Sequence, residues 1–544
     1  MSHEAGTGAT QVSSGAAFVE IRGVGKTYRS RRGDVAALSG IDLGIGAGEF
    51  VSVLGPSGCG KSTLMRCLAG LEQVSSGEIV IDGRSHDGPP EGLGVVFQRD
   101  VLLDWRTVLD NVMLPIEVHR LDPSGWEQKA RELLELLGLT GFEDRHPWEL
   151  SGGMRQRVSI CRALLMNPSL LLMDEPFGAL DAMTRDELNL ELQRVWMGDA
   201  KTVFFVTHSI QEAVFLGDRV VVMSPSPGRI VEIIDVTLPR PRDLDIRETP
   251  EFGAMVRHIR GLFLSMGVMK AARHGRGVAA VGGCMGNRAV SVSVVILVFF
   301  AAWEALVRLL ALPLHFLPPP SAVLLEIGAE PKWYAMHTLY TLYTTLLGFG
   351  LALLLGVVAA VGIVYSRWLE NTLYTLLVSL NSIPKIALAP LFIIWLGTGT
   401  PSKVAVSFLI ALFSVVIDSV LGLRSADPDA LDLIKTMRGS RLQALWKIRF
   451  PGALPHMFAG MKVAISLALV GAIAGEFVAS QEGLGYVIIT AQSMFQTVRV
   501  FASIVLLGVA GTILFFLVDV AERLVCPWHV SHRIKDAKAL AGRA

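Results

Sequence analysis

A glycine-rich stretch with one lysine carries the clearest chemistry in the sequence, because its residue types can hold a phosphate group. It lies between an apolar run typical of a buried strand and a run typical of a helix start, the order that a phosphate-binding loop requires. Glycines let successive backbone N–H groups curl around phosphate oxygens, and the helix start adds its positive dipole end. Lys61 is expected to neutralise the β- and γ-phosphates, and the Ser62 hydroxyl to ligate Mg²⁺. A glycine-rich turn in an ordinary α/β protein is the alternative. The stretch predicted to bind the nucleotide is Gly55, Pro56, Ser57, Gly58, Cys59, Gly60, Lys61, Ser62 and Thr63.

Acidic side chains follow a second apolar run, at residues 170–174. Asp174, at the end of that run, can hold the Mg²⁺ shell, and Glu175 beside it can orient and deprotonate an attacking water. His208 follows a third buried run and could contact the γ-phosphate. The alternatives are structural: a buried strand that ends in a charged turn, and a histidine that packs at a strand end.

Three further stretches can be interpreted as parts of the same nucleotide site. Ser151, Gly152 and Gly153 open a helix, whose free N–H groups and serine hydroxyl make a second anion site, with a glycine-rich helix cap as the alternative. Tyr28 lies in a basic turn before the glycine-rich stretch and could stack on a nucleotide base, although ordinary packing is the commoner role of such a tyrosine. Gln98 ends a short apolar run and indicates little alone.

Together, in this order and spacing, these stretches resemble the ATP-binding-cassette (ABC) ATPases from Phe18 to about Gly267. The resemblance implies a head-to-tail dimer of two copies of the chain, in which ATP on Lys61 of one cassette is completed by Ser151 and Gly153 of the other. It implies ATP and Mg²⁺ as cofactors. The motif positions are Lys61 (Walker A), Gln98 (Q-loop), Ser151, Gly152, Gly153 and Gln156 (signature), Asp174 and Glu175 (Walker B), Asp181 (D-loop), His208 (H-loop) and Tyr28 (adenine stacking). By the same resemblance the catalytic residues are Glu175, His208 and Gln98, and the metal-binding residues are Ser62, Gln98 and Asp174.

Charge and hydropathy divide the 544-residue chain into two halves. Lys+Arg and Asp+Glu both total 49, so the net charge suggests no nucleic-acid partner. Charges are frequent up to about Lys270, whereas long apolar runs after Arg288 account for most of the mean hydropathy of +0.49. Five scattered cysteines without metal-ligand spacing fit a reducing cytosol. Residues 1–17 are small and polar, which predicts a disordered start rather than a signal peptide.

The second half contains six apolar stretches near the roughly 20 residues that a spanning helix needs. Lysine and arginine concentrate in alternate loops, and the richer set is predicted to be cytoplasmic. The chain would then cross a bacterial plasma (inner) membrane several times, with lipid around its helices and with the ATPase and both termini in the cytoplasm. In the third stretch, Pro384, Lys385 and Pro390 predict a kinked segment that lines a pathway, with a lysine snorkelling from a helix end as the alternative. The predicted spans are Ala289–Ala311, Leu339–Tyr365, Leu373–Leu396, Val404–Leu423, Met461–Ala479 and Phe501–Val525.

The loop from Arg424 to Pro455 resembles the coupling loop of ABC importer permeases, through Gly439 and a Phe-Pro…Leu-Pro end. The family's Glu-Ala-Ala triplet is replaced here by residues 433–435, Leu-Ile-Lys, so this triplet cannot make the glutamate's contact. Further stretches resemble the nitrate/sulfonate/taurine importer group, which also includes importers of pyrimidine-type vitamin precursors. These stretches are Leu102–Arg106, Phe316–Pro320, Ser382–Leu391 and Gly483–Tyr486.

The leading interpretation is an α/β P-loop ABC ATPase domain followed by an all-α six-helix transmembrane permease domain. It predicts a homodimeric, ATP-driven importer that receives a small solute from an extracytoplasmic solute-binding protein. An ABC exporter or lipid mover is the first alternative, which the domain order and the short loop disfavour. A membrane ATPase that transmits force without transport is the second, which the short outer loops disfavour. The predicted divisions are a disordered start (1–17), the ATPase (18–267), a linker (268–288), the permease (289–525) and a cytoplasmic tail (526–544).

Overall fold

The structure is a computed structural model that describes residues 17–30, 33–178, 180–199, 201–267 and 288–529. Only the backbone is described for residues 199, 288–297, 378 and 381. The predicted disordered start, the linker and nearly all of the predicted tail lie outside the described residues. The chain forms two compact units: the first comprises Met1–His274 and Asp427–Ile448, and the second comprises Gly275–Ala426 and Arg449–Ala544.

The first unit contains two β-sheets. A four-stranded antiparallel sheet has the order β2-β1-β4-β5, and a six-stranded sheet has the order β10-β9-β3-β8-β7-β6. In the larger sheet all neighbours pair in parallel except β10 with β9. The strands are β1 (Val19–Tyr28), β2 (Val35–Ile45), β3 (Phe50–Leu54), β4 (Ser76–Ile81), β5 (Arg84–Ser85), β6 (Leu93–Val96), β7 (Leu170–Asp174), β8 (Thr202–Thr207), β9 (Arg219–Met223) and β10 (Ile230–Asp235).

Every residue of the three central strands β3, β7 and β8 is buried. Continuous apolar strands are typical of a parallel sheet that is covered on both faces. Leu54 of β3 pairs with Thr207 of β8, and Asp174 of β7 pairs with Val206, so the three strands end together at one edge. Ligands of open parallel sheets bind at the carboxyl ends of the strands. The register therefore brings the three predicted chemical stretches to one place.

Helices cover this sheet. They are α1 (Lys61–Leu68), α2 (Val108–Val112), α3 (Leu114–His119), α4 (Trp126–Leu136), α5 (Gly152–Leu164), α6 (Ala182–Asp199), α7 (Ile210–Leu216) and α8 (Pro250–Ser265). Short 3-10 turns lie at Pro147–Glu149 and Leu244–Glu248. Phe50 and Phe177 pack against Phe205 within the core between the helices and the sheet.

From residue 288 to residue 529, the described chain contains helices and connecting turns but no strand. Its helices are α9 (Arg288–Leu309), α10 (Pro320–Ala329), α11 (Pro331–Tyr365), α12 (Arg367–Leu369), α13 (Thr375–Asn381), α14 (Ala389–Leu396), α15 (Thr400–Arg424), α16 (Pro428–Thr436), α17 (Arg441–Ala444), α18 (Phe450–Val478), α19 (Leu484–Ser493) and α20 (Thr497–Val525). π-helical turns lie at Glu370–Tyr374 and Leu445–Arg449, and a 3-10 turn lies at Lys385–Leu388.

Four helices of the described residues are long and apolar enough to cross a membrane. They are Pro331–Tyr365, Thr400–Arg424, Arg441–Val478 and Thr497–Val525, and they correspond to the predicted second, fourth, fifth and sixth spans. The first predicted span coincides with α9, whose side chains are described only from residue 298.

The third predicted span, Leu373–Leu396, is wrong as one continuous helix. The chain forms α13, breaks at Ser382–Pro384, and resumes through a 3-10 turn into α14. Pro384 lacks an N–H donor and forces the preceding residue out of helical conformation, which explains the break. The predicted kink is confirmed. The Lys385 ammonium lies 4.5 Å from the centre of the Phe413 ring, within the same unit.

Small residues at four-residue spacing on α11 let the long helices approach closely. Gly348, Ala352, Gly356 and Ala360 are all buried. A Cβ added to Gly348 would lie 2.4 Å from the Ser407 hydroxyl of α15, so only glycine permits this contact. Close backbone approach between apolar helices is the usual reason for such a stripe.

Candidate functional site

The glycine-rich loop lies between β3 and α1, as its sequence predicts. Gly58 and Gly60 have φ of 78° and 100°, and a Cβ on Gly60 would lie 2.8 Å from the Ala37 carbonyl. A side chain at Gly60 is therefore excluded by both backbone conformation and space. The Lys61 ammonium is buried and donates to the Gly55 and Pro56 carbonyls, at 2.8 and 3.2 Å. The lysine is thus held inside the loop, where a phosphate could replace those carbonyls.

Glu175 lies at the centre of the polar side chains at this sheet edge. Its carboxylate accepts a hydrogen bond from the Gln98 amide at 3.3 Å and lies 3.2 Å from His208 Nδ1. Its other oxygen lies 3.9 Å from the Lys61 ammonium. Glu175 has φ of 44°, a left-handed conformation that is uncommon outside glycine and is frequent at functional sites. The fold therefore brings together the three residues that the sequence predicts to be catalytic.

Asp174 and Ser62 form the predicted metal position. The Ser62 hydroxyl donates to an Asp174 carboxylate oxygen at 3.0 Å. Asp174 is only 8% exposed, and this burial raises the pKa of its carboxyl, partly offset by the Ser62 hydrogen bond. A hydroxyl and a carboxylate at this spacing are the oxygen ligands that Mg²⁺ prefers. The residues present therefore fit the ion.

The glycine-rich loop with Lys61 and Ser62 lines a cavity of about 360 Å³, whereas Asp174 and His208 are not among its lining residues. Its lining includes Ser57, Thr63, Gln98 and Glu175. Tyr28 does not line it among the described residues, but its antiparallel register partner Val35 does. The Tyr28 ring instead contacts the Lys26 ammonium at 5.0 Å and is 38% exposed, so its stacking role stays a prediction. Cys59 is buried inside the loop, which raises the pKa of its thiol.

The predicted signature residues lie elsewhere in the first unit. Ser151 caps α5 by accepting the Met154 N–H at 3.3 Å, and both Ser151 and Gly152 are exposed. A Cβ on Gly153 would lie 2.7 Å from the Thr184 methyl group. Gln156 is buried, and its amide nitrogen has no hydrogen-bond partner among the described residues. None of the four lines the phosphate cavity of its own chain.

Asp181 caps the following helix. Its carboxylate accepts hydrogen bonds from the Thr184 N–H at 3.1 Å and the Thr184 hydroxyl at 2.8 Å. The backbone N–H of Thr184 lowers the pKa of this exposed carboxyl. Such a side chain satisfies a free N–H group at a helix start. Asp181 therefore has a structural role in one chain, and its nucleotide role stays a prediction.

The segment Asp427–Ile448, the docked segment, packs on the ATPase residues of the first unit. It contains α16, then Gly439, then α17, whose start is capped reciprocally by Ser440 and Gln443. The Gln443 amide donates to the Val118 carbonyl of α3 at 2.7 Å. A Cβ on Gly439 would lie 2.5 Å from an Ile434 methyl and 3.1 Å from a Val118 methyl. Gly439 thus lies between α16 and α17, at the point where the docked segment contacts α3.

Charged pairs fix the docked segment. Asp432, which directly precedes the Leu-Ile-Lys triplet, pairs with Arg66 of α1. The segment therefore makes an acidic contact with the ATPase, but through Asp432 and not through the triplet. Lys447 pairs with Glu117, which also accepts two hydrogen bonds from Arg106 at 2.9 and 3.0 Å. Arg66 lies five residues beyond Lys61 on the helix that the phosphate loop opens. The docked segment is therefore connected to the nucleotide site through α1.

The end of the docked segment differs from its prediction. The loop was expected to run to Pro455, but α18 already begins at Phe450. Pro451 lies in the first turn of this helix, where its missing N–H costs no hydrogen bond. Pro455 lies inside the helix. The two prolines therefore do not mark the end of the loop, contrary to the prediction.

Sequence reasoning missed Arg162. Its guanidinium is buried and donates to the Val101 carbonyl at 2.7 Å and the Asp100 carbonyl at 3.0 Å, just beyond Gln98. Burial lowers its pKa to about 10. Val101 has φ of 48°, so this turn is held in an uncommon conformation. The sequence signal was an arginine among apolar residues of α5, which does not reveal its partner.

The fold and the site define the class: a P-loop ATPase joined in one chain to apolar helices long enough to span a membrane. A family profile described as "ABC transporter" matches residues 38–178. A second, described as "Binding-protein-dependent transport system inner membrane component", matches residues 352–527. The chain belongs to the ABC transporter family, with ATPase and permease fused, and it is an ATP-hydrolysing membrane protein of the importer type.

Curated relatives match the ATPase half. An uncharacterized ABC transporter ATP-binding protein of Methanocaldococcus jannaschii is 45% identical over 241 residues, which is 44% of this chain and 90% of that protein. The taurine import ATP-binding protein of Rhizobium johnstonii is 46% identical over 243 residues, 44% of this chain and 93% of that protein. A solved dimeric ATP-binding cassette in a post-hydrolysis state, bound to ADP and Pi, is 34% identical, with a TM-score of 0.37, and covers 41% of this chain and 100% of that one.

Proposed function

We propose that the chain forms a homodimer that imports a small solute across a bacterial inner membrane, at the expense of ATP. The observation that carries this proposal is the docked segment. It belongs to the permease part of the sequence, yet it packs on α1 and α3 of the ATPase through Asp432, Gly439 and Lys447. A change at the nucleotide site therefore has a direct mechanical route to α18, which follows the docked segment in the chain.

Each polar residue at this sheet edge has a role in the proposed ATP site. The glycine-rich loop binds the phosphates, and Lys61 leaves the Gly55 and Pro56 carbonyls to pair with them. Ser62, Asp174 and Gln98 would hold Mg²⁺, which would supply positive charge beside the phosphates. Glu175 accepts the proton of the attacking water, and His208 orients the Glu175 carboxylate at 3.2 Å.

Two ATP sites form between two copies of the chain. Ser151, Gly152 and Gly153 lie outside the phosphate cavity of their own chain but present an exposed helix start, which suits the γ-phosphate held by a partner. Tyr28 stacks on the adenine, and Asp181 and Gln156 are further nucleotide-binding residues of the shared site. Closure of the dimer around ATP then displaces the docked segments, and hydrolysis reopens the dimer.

The solute class is proposed from the relatives. Taurine import proteins among them favour a small organic anion such as a sulfonate, with nitrate or a pyrimidine-type vitamin precursor as other members of the group. A separate extracytoplasmic binding protein delivers the solute, and the ATPase and both termini face the cytoplasm. Phosphate release by the chain in proteoliposomes tests this. Addition of candidate binding proteins with taurine, nitrate or pyrimidines should raise the rate and drive solute uptake.

A matched control uses the same vesicles with solute but no binding protein, which should leave the rate at its basal value. ATP hydrolysis that no binding protein changes would contradict import. Solute movement in the opposite direction in sealed vesicles would instead identify an exporter.

A further inference from the structure

A carboxylate of α18 is buried at the start of α19, in a part of the second unit that the ATP site does not use. Glu476 is 1% exposed. Its Oε2 accepts the Gly485 N–H at 2.8 Å and the Thr341 hydroxyl at 3.0 Å. Its Oε1 has no hydrogen-bond partner among the described residues. A charged group in this position needs a structural or functional reason, because burial of a carboxylate is costly.

Three side chains together satisfy three consecutive N–H groups at the start of α19. The Leu484 N–H donates to the Thr341 hydroxyl at 2.9 Å, and the Gly483 N–H donates to His337 Nδ1 at 3.0 Å. Thr341 and His337 lie on α11, one turn apart, and Glu476 lies on α18. The free N–H groups of a helix start carry partial positive charge, so a carboxylate is favourable there. Because the Gly483 amide must donate, His337 Nδ1 carries no proton.

The two glycines of the Gly483–Tyr486 stretch are required by this arrangement. Gly483 has φ of 101°, and a Cβ there would lie 2.3 Å from the Glu476 carboxyl carbon. A Cβ on Gly485 would lie 2.7 Å from Glu476 Cβ. Contact this close leaves no room for a side chain at either position. The Gly-Leu-Gly sequence is thus fitted to the glutamate.

Glu476 lies near the end of α18 that is farther from the docked segment, so its contacts are placed to transmit a displacement of this helix. Glu476 lies 26 residues beyond the start of α18 at Phe450, and a straight helix of that length spans about 39 Å. The docked segment precedes that start directly in the chain. α19 also packs through Leu484 and Val487 against α10 and α20, in a cluster with Val323 and Ala502. The carboxylate therefore connects the far end of α18 directly to α11 and α19, and through the packing of α19 to α10 and α20.

We propose that Glu476, Thr341 and His337 form a clasp that makes α11, α18 and α19 move as one body when α18 is displaced. They are positioning residues for transport, and they take no part in ATP binding or hydrolysis. This inference rests on the proposed import function, because it explains how a displacement at the docked segment reaches the far end of the permease helices.

The test uses the full chain in lipid nanodiscs, with amide hydrogen exchange as the readout and ATP with vanadate as the nucleotide probe. Glu476→Ala should raise amide exchange of Gly485 by at least about tenfold, because the Gly485 N–H loses the carboxylate that accepts it. The change in exchange that ATP with vanadate causes in residues 313–330 should fall by a similar factor. Basal ATP hydrolysis should stay at the wild-type rate.

Conservative variants separate a clasp from simple packing. Glu476→Gln keeps an oxygen that accepts both hydrogen bonds, so it should restore protection and the nucleotide response, and Thr341→Ser should do the same where Thr341→Val does not. Asp418→Ala is the matched control, because Asp418 is a carboxyl of α15 with a local hydrogen bond to Ser414. It should leave residues 483–485 protected.

Several results would overturn the clasp. A full nucleotide response in Glu476→Ala or in Thr341→Val would do so, as would failure of Glu476→Gln to restore it. If Glu476→Ala does not assemble, Thr341→Val decides, because it leaves the carboxylate in place. Failure of import is a separate outcome: binding proteins would then not stimulate the wild-type chain, while its nucleotide response in residues 313–330 would still depend on Glu476.

Discussion

Glu175 contacts three other side chains of the nucleotide site, and its function can be tested with a single atom change. Glu175→Gln keeps the shape of the side chain and its contact with Gln98 but removes the basic carboxylate. We expect ATP to bind and the dimer to close, while turnover falls by roughly 10²–10⁴-fold, the usual contribution of a general base. Phosphate release measures turnover, and ATP-dependent association measures closure.

Glu127→Gln is the control for this substitution. Glu127 is an exposed acid that pairs with Arg131, one turn further along the same helix. Its removal should change turnover by less than a factor of about two, since exposed ion pairs contribute little. Persistent hydrolysis in Glu175→Gln would remove Glu175 as the base and leave His208 as the next candidate.

The nucleotide site was predictable at this scale because each of its parts is local in sequence. Lys61 and Ser62 follow a strand directly, and Asp174 and Glu175 follow another, so strand order alone brings them together. The partners of Arg66 and Glu476 were not predictable. Asp432 is 366 residues from Arg66, and Thr341 is 135 residues from Glu476. No local pattern marks a contact across such distances.

Within the docked segment, position 439 requires a glycine, because a side chain there has no room. Gly439→Val would place its side chain against Ile434 and Val118, so the segment must shift from α3. We expect stimulation by the binding protein to fall by at least about tenfold, because α18 no longer follows the ATPase, while basal hydrolysis by the full chain persists. Stimulated and basal phosphate release in proteoliposomes measure both.

Gly508→Ala is the matched control, since no atom lies within 4 Å of a Cβ added at this position on α20. It should leave both rates unchanged. Equal loss of stimulated and basal hydrolysis in Gly439→Val would place Gly439 in the ATPase fold and leave the docked segment without a coupling role.

Glu117 makes the attachment of the docked segment sensitive to pH. Burial alone would raise the pKa of its carboxyl, but the hydrogen bonds and charges of Arg106 and Lys447 outweigh burial and lower it. Because the folded-state pKa is depressed, the stabilisation is complete above the unfolded pKa of about 4.3 and is lost as the pH falls through the folded-state value. The protection of the amides of residues 440–449, measured relative to their intrinsic exchange rate at each pH, should therefore fall in acid.

Glu117→Gln isolates this effect from general acid unfolding. At pH 7 the amides of residues 440–449 should be less protected in the variant than in the wild type, and this difference should disappear as the pH falls through the depressed folded-state pKa of Glu117. A difference that stays constant with pH would show that Glu117 does not hold the segment through its charge.

Element boundaries were less predictable than element types. Hydropathy located α11, α15, α18 and α20, because a run of apolar residues has few other interpretations. It placed the start of α18 at Met461 instead of Phe450, since prolines are tolerated in a first helical turn and even within a long helix. It also joined α13 and α14, where Pro384 separates them.

For the whole molecule, the proposed homodimer would contain two phosphate loops and two signature helices, one of each from either chain. Each chain supplies one phosphate loop and one signature helix, and these lie apart within the first unit. A site shared between chains and a site within one chain make opposite predictions for mixed dimers. Two substitutions distinguish them. Lys61→Ala removes the phosphate lysine, and Ser151→Asp keeps the helix cap but adds a charge that repels phosphate.

In the first mixed dimer, one chain carries Lys61→Ala and the other carries Ser151→Asp. If sites are shared, one site contains both substitutions and the other contains neither, so this dimer should keep up to about half of the wild-type hydrolysis, whereas either homodimer should lose about 10²-fold. In the second, one chain carries both substitutions and the other none, so each shared site is damaged and hydrolysis should be lost. Differently tagged chains, purified through both tags, allow phosphate release to be measured on each. The reverse ranking of the two dimers would place each ATP site within one chain, because only the unsubstituted chain of the second dimer would then contain an intact site.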